Sequence, residues 1–184
     1  VPRPFALAVC PGVRVEQRVQ PLDRVACYVP GGRYPLPSTV VMTVVPARVA
    51  GVRQIVVCCP APAPAVLCAA IEAGATRVFR MGGAHAIAAL AYGTASVPRV
   101  DKIVGPGNAW VAAAKDLVAF DGGCAIDLHA GPSEIVILSD AAPAAWIAAD
   151  LIAQAEHDPS ARAIFVTSRR TLATAVLCAI GRRA

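Results

Sequence analysis

The sequence predicts an α/β fold with a mostly parallel sheet covered by helices on both faces. Three observations predict it. Short β-branched runs alternate with longer windows of helical character from about residue 25 onward. Most of those runs are too uniformly apolar to have a wet face, as expected for strands buried on both sides. Glycine and proline punctuate the junctions where strands and helices should meet.

The elements follow in order. Residues 1–24 hold one plausible strand and two proline breaks, too little periodicity for a domain. Val25–Val29 reads as a strand, Thr39–Ala50 as a helix that Gly51 ends, and Ile55–Cys59 as a strand. The prolines 60, 62 and 64 then turn the chain into a helix over Ala65–Ala73, closed by Gly74. Strand Arg77–Met81 leads to helix Ala84–Tyr92, and strand Lys102–Val104 to helix Ala109–Val118. Ile135–Leu138 and Ala163–Thr167 read as strands around a helix over Ala144–His157, with Pro143 at its first turn and Pro159 beyond its end. Leu172–Ile180 reads as the last helix. Glycine suits a helix C-terminus because it adopts the left-handed conformation freely, and proline suits a first turn because its missing N–H is not needed there.

Composition narrows the function classes. Of 184 residues 57% are hydrophobic and 16% charged, enough apolar material for a real core. The uncharged stretch from Gln54 to Ile71 is broken by three prolines, so it does not read as a membrane span. The first residues lack the basic region, apolar run and cleavage site of a secretory signal. The 7 cysteines, an odd number without Cys-x-x-Cys spacing, lie mostly in apolar surroundings such as Val56-Val57-Cys58-Cys59. That suits buried reduced thiols in a cytoplasmic protein, and argues against a disulfide or zinc-thiolate framework. The net charge is +5, but the basic residues are scattered with no stripe or interleaved aromatics, so nucleic-acid binding is not expected.

The chemistry lies at a few junctions. Tyr28-Val29-Pro30-Gly31-Gly32, Met81-Gly82-Gly83-Ala84-His85 and Gly105-Pro106-Gly107-Asn108 all fall at the carboxyl ends of expected strands. Open α/β sheets bind ligands there, and each glycine turn lets backbone approach a ligand just ahead of a helix N-terminus that favours negative charge. The Gly-x-Gly-x-x-Gly fingerprint is absent, since Trp110 stands where its third glycine belongs. Any one such turn alone reads equally as a tight turn. Gln154 and His157, one helical turn apart with Asp150 on the same side, could supply part of a zinc site, which takes about four ligands. The plainer alternative is a solvated helix end whose histidine favours the dipole. Ser133 in Gly131-Pro132-Ser133-Glu134 is no nucleophile elbow and suits a hydrogen bond to substrate better than attack. His129 reads as a loop residue, and His85 either caps its helix or faces the crevice.

At these residues the chain resembles the histidinol dehydrogenase family. The matching stretches include Tyr28 to Thr39, Pro46 to Val52, Gly82-Gly83-Ala84, Ala86 to Thr94, Val100 to Asn108, Ile126-Asp127, Ala130 to Glu134 and Gln154 to Pro159. They run in the family's order over residues 8 to 170. The resemblance implies a zinc- and NAD-dependent four-electron oxidation of L-histidinol to L-histidine through histidinaldehyde, by a homodimer. By position, Tyr28 and Asn108 match NAD contacts, and His85 stands where the family has a glutamine that contacts NAD. Ser133 matches a substrate contact, and Gln154 and His157 match zinc ligands that also touch substrate. No residue here matches the family's catalytic Glu-His pair, its Asp metal ligand or its second His ligand, which belong to segments beyond those matched.

The implied fold is Rossmann-like with aldehyde-dehydrogenase-like architecture, one unit inserted in another. Residues 25–131 would be the inserted unit, nearly complete. Residues 1–24 and 132–184 would be parts of a truncated outer unit, and a substrate crevice is expected near Ala130–Glu134. The leading expectation is a fragment of such an enzyme, inactive by itself. The alternative is a degenerate non-catalytic homologue that binds nucleotide or packs on a full-length partner.

Overall fold

The computed structural model describes residues 2–31, 34–128, 134–157 and 161–183. The chain divides into two compact units, Val1–Ala130 and Gly131–Ala184.

The first unit begins with an antiparallel hairpin, β1 (Phe5–Cys10) and β2 (Val13–Gln17), closed by a turn in which Gly12 has φ 83°. One strand was expected in this stretch. The short Pro11-Gly12 break is a turn between two strands, because glycine takes the positive φ that the turn needs. The sheet of this unit is built from β3 (Arg24–Tyr28), β4 (Gln54–Cys58), β5 (Arg77–Phe79), β6 (Lys102–Val104) and β7 (Ala125–Ile126), all parallel. Its spatial order is β5-β4-β3-β6-β7. The two-residue β7 went unread, being too short for any periodicity.

Four helices connect these strands: α1 (Pro37–Val49), α2 (Pro64–Ala73), α3 (Gly83–Tyr92) and α4 (Ala109–Phe120). Prolines sit in the first turns of α1 and α2, where their fixed φ suits the helix. Gly74 closes α2 in the left-handed conformation at φ 96°. The alternation of β3 and β4 divides the core into two layers. Val25, Cys27, Val29, Ile55 and Val57 pack with Val40 and Val44 of α1 and Val66 and Ala70 of α2. Ala26, Tyr28, Val56 and Cys58 pack with Ile87 and Leu90 of α3 and Val111 and Val118 of α4. A strand covered on both faces has no position left for a polar residue, which is why these runs read as continuously apolar.

The second unit pairs β8 (Glu134–Leu138) with β9 (Arg162–Val166) in parallel. They carry α5 (Ala144–His157) and α6 (Arg170–Gly181) on one face. Ile135, Ile137, Ala163 and Phe165 point into a core with Ile147, Ala148 and Leu151 of α5 and Val176 and Ala179 of α6. The alternate positions, Val136, Leu138, Ile164 and Val166, are exposed. Among the described residues, no helix is long and apolar enough to cross a membrane. All seven cysteines are free; Cys27, Cys58, Cys59 and Cys124 are buried, while Cys10, Cys68 and Cys178 are exposed. The expectation of buried thiols therefore holds for those in the doubly covered sheet and fails for those in the hairpin and on the outer faces of α2 and α6.

Candidate functional site

In the first unit the strand order places the first strand, β3, between β4, the next in sequence, and β6, reached after the chain has crossed back. This reversal is the topological switch point of a doubly wound sheet, where adjacent loops leave in opposite directions and open a crevice at the carboxyl ends. The loops flanking it are Val29-Pro30-Gly31 after β3 and Gly105-Pro106-Gly107-Asn108 after β6.

Each loop is shaped by close backbone approach. Gly105 has φ 108°, and a Cβ there would lie 2.2 Å from the Tyr28 carbonyl oxygen, so glycine is required. Gly31 and Gly82 both pack on Pro60, where a Cβ would come within 2.8 Å and 2.7 Å of its ring. The loops after β3, β4 and β5 therefore meet at one proline ring, which brings together two of the glycine-bearing turns legible in the sequence.

Tyr28 is buried, and its hydroxyl accepts a hydrogen bond of 3.1 Å from the Gly83 N–H at the start of α3. Burial raises its pKa more than this bond lowers it, so the phenol stays neutral at physiological pH. A neutral hydroxyl that accepts from one backbone N–H retains its own proton for another partner. His85, in the same first turn of α3, is exposed, and its imidazole ring lies over Gly83. Asn108 is the N-cap of α4: its Oδ1 accepts from the Val111 N–H at 3.0 Å, satisfying one donor of the first turn. The residue is exposed, and its amide Nδ2 keeps two further donors. Trp110, two residues on, is 77% exposed.

Beneath the Gly105 turn lies a pair to which the sequence reading gave no role. Lys115 of α4 is only 3% exposed, and its Nζ donates to the Gly105 carbonyl at 3.0 Å and to Asp127 Oδ1. Asp127, just after β7, accepts from the Gly105 N–H at 2.7 Å through Oδ2 and from the Leu128 N–H at 2.9 Å through Oδ1. Burial raises the Asp127 pKa, but Lys115 and the two amides outweigh it and leave the carboxyl below its ordinary value of 3.8. A signal existed in the sequence: Lys115 shares a helix face with Val111 and Val118, both buried, and a lysine on an apolar stripe needs a partner.

In the second unit, Gln154 is half-buried, continuing the apolar stripe of Ile147 and Leu151, whereas Asp150 is exposed. Because β8 and β9 are parallel, α5 must run back between them. Its last turn, with Gln154 and His157, therefore ends at the amino edge of the two strands, where the chain enters β8 at Glu134. Ser133 and His129, and the side chain of His157, lie outside the described residues. Among the described residues no three of His, Cys, Asp and Glu come together as a metal site.

The model of the histidinol dehydrogenase family matches residues 3–184. The chain belongs to the histidinol dehydrogenase family. It is 52% identical over 183 residues to the histidinol dehydrogenase of Methanothermobacter thermautotrophicus, covering 96% of this chain and 42% of that protein. To the Methanosarcina mazei histidinol dehydrogenase it is 55% identical over 172 residues, covering 90% of this chain and 39% of the relative. The crystal structure of histidinol dehydrogenase from Elizabethkingia anophelis superposes with a TM-score of 0.90 at 34% identity, over 99% of this chain and 43% of that one. The chain thus spans about two fifths of the length of these relatives. Its α/β, Rossmann-like fold with a mostly parallel sheet is that of the family, and the relatives' name is that of an oxidoreductase.

Proposed function

We propose that this chain supplies the NAD-binding unit and part of the substrate and metal site of an oxidoreductase that converts L-histidinol to L-histidine in two oxidations. The observation that carries this reading is the switch-point crevice. Tyr28, the last residue of β3, and Asn108, on the loop after β6, match NAD contacts of the family and flank the crevice where a parallel sheet receives a dinucleotide.

The first turn of α4 presents backbone N–H groups and a favourable dipole to a phosphate, and the Asn108 Nδ2 donates beside them. The Tyr28 hydroxyl, fixed by Gly83, offers its proton to a ribose or phosphate oxygen at the opposite lip. Glycine at 31, 82 and 105 lets these loops pack against Pro60 and the Tyr28 backbone where a Cβ would not fit. Bound NAD supplies the hydride acceptor for each oxidation. In this reading Ser133 hydrogen-bonds the amino alcohol, while Gln154 and His157 contribute two of about four zinc ligands, the others coming from groups outside these 184 residues. By itself the chain binds nucleotide without turnover, because no residue matches the family's proton acceptor and no complete metal site is found among the described residues.

The position of His85, exposed over Gly83 where the family has a glutamine, supports a second reading in which the chain binds nucleotide without acting as an enzyme. One experiment tests the nucleotide crevice that both readings share. NADH is titrated into the chain carrying Trp146→Phe, so that the emission followed is that of Trp110. Quenching is expected, with affinity weakened about tenfold by Asn108→Asp, which keeps the cap acceptor but replaces the amide donor with a charge that repels phosphate. No binding, or equal binding by the variant, overturns the crevice assignment. Histidinol- and zinc-dependent NADH formation by this chain alone overturns its assignment as an incomplete enzyme.

A further inference from the structure

Burying a lysine is expensive, because its charge loses its hydration and a partner's attraction repays that only with good geometry. Lys115 is buried, while Asp127 beside it keeps access to water. Lys115 and Asp127 have that geometry, and every bond they make beyond each other goes to backbone at one edge of the sheet. Both polar groups of Gly105 are taken by the pair: its carbonyl by the Lys115 Nζ and its N–H by Asp127 Oδ2. Gly105 is also the residue pressed against the Tyr28 backbone, with the positive φ that only glycine adopts readily. Asn108 caps α4 three residues later. The pair therefore joins the ends of β6 and β7 to the middle of α4.

We propose that Lys115 and Asp127 are positioning residues for the dinucleotide: by gripping Gly105 from both sides they hold the Gly105–Asn108 turn so that Asn108 and the first turn of α4 face the ligand. This rests on the reading of the crevice as an NAD site. A buried apolar pair would fill the same volume but would leave the Gly105 N–H and carbonyl unheld, and the turn free to relax away from Tyr28.

The test compares the parent chain with Lys115→Met and with the double variant Lys115→Met/Asp127→Leu. The single variant leaves a carboxylate without its cation and is expected to lose stability, whereas the double variant removes both charges and is expected to recover much of it. The decisive readouts are amide hydrogen exchange at Gly105 by NMR and NADH affinity by calorimetry. In the double variant, Gly105 exchange is expected to rise about tenfold or more while the β3 and β4 amides stay protected, and NADH affinity is expected to fall about tenfold despite the recovered fold. In the parent, the Gly105 amide proton shift is expected to titrate with the Asp127 carboxyl, below pH 3.8. Unchanged Gly105 exchange, or NADH affinity that recovers together with stability, overturns the proposal and leaves the pair a packing element. If the parent itself does not bind NADH, the proposed function falls, and Gly105 exchange alone then decides whether the pair holds the turn.

Discussion

The two units solve the same packing problem to different extents. In the first, β3 and β4 send alternate side chains into two separate apolar layers, one under α1 and α2 and the other under α3 and α4. In the second, β8 and β9 have one such layer, and the side chains that alternate with it, Val136 and Leu138 among them, are 63% and 79% exposed. The strands are equally apolar in sequence. The difference shows that a β-branched run reports the capacity of a strand to be buried twice, whereas its surroundings decide whether it is. The hairpin β1–β2 makes the same point, since Phe5, Leu7, Val9, Val13 and Val15 are all exposed despite strand-like alternation.

The sharpest way to break this comparison is to replace apolar side chains in each sheet system. Leu90→Ala in α3, inside the fully closed layer, is expected to destabilise the first unit by about 3 kcal/mol in denaturant unfolding. Val136→Thr with Leu138→Thr is expected to leave stability within about 0.5 kcal/mol while lowering the fluorescence of a bound hydrophobic dye. Equal losses in the two would mean that the exposed β8–β9 face is buried in solution.

Acid sharpens the comparison at the first unit's site. The Asp127 carboxyl lies below its ordinary pKa in the folded chain, so its contribution is fully present above pH 3.8. That contribution is lost as pH falls from there through the lower folded value, because protonation releases the bond to Lys115. Asp127→Asn is expected to lower stability at neutral pH and to flatten the acid limb of the first unit's unfolding midpoint below pH 3.8. An acid limb as steep as the parent's would show that other carboxylates carry it.

The smallest expected effect is chemical. Burial pushes the Cys58 thiol up to about 12 and the Cys27 and Cys124 thiols to about 11, so these are neither exposed nor ionised at pH 7. An alkylating reagent applied to the native chain is expected to label Cys10, Cys68 and Cys178 first, by mass spectrometry, and Cys27, Cys58, Cys59 and Cys124 after unfolding. Early labelling of Cys58 would show that the doubly covered sheet opens more readily than its packing implies.

The sequence by itself determined the α/β class, the order of the longer elements and their punctuation, because apolar period, proline and glycine act over a few residues and need no distant partner. Helix α5 runs over Ala144–His157 as its periodicity predicts. The family was legible too, since its motifs are local runs in a fixed order. Only the tertiary structure decided that Tyr28 spends one lone pair on Gly83, that Gly31 and Gly82 meet on Pro60, and that Lys115 and Asp127 share Gly105. It also decided that α5 delivers Gln154 to the amino edge of its strands rather than to the carboxyl edge where the glycine turns of the first unit gather. These contacts join residues 10 to 55 positions apart, which no local pattern pairs. A charge on an apolar helix face reveals that it must have a partner, but which partner it finds depends on where the sheet brings the other strands.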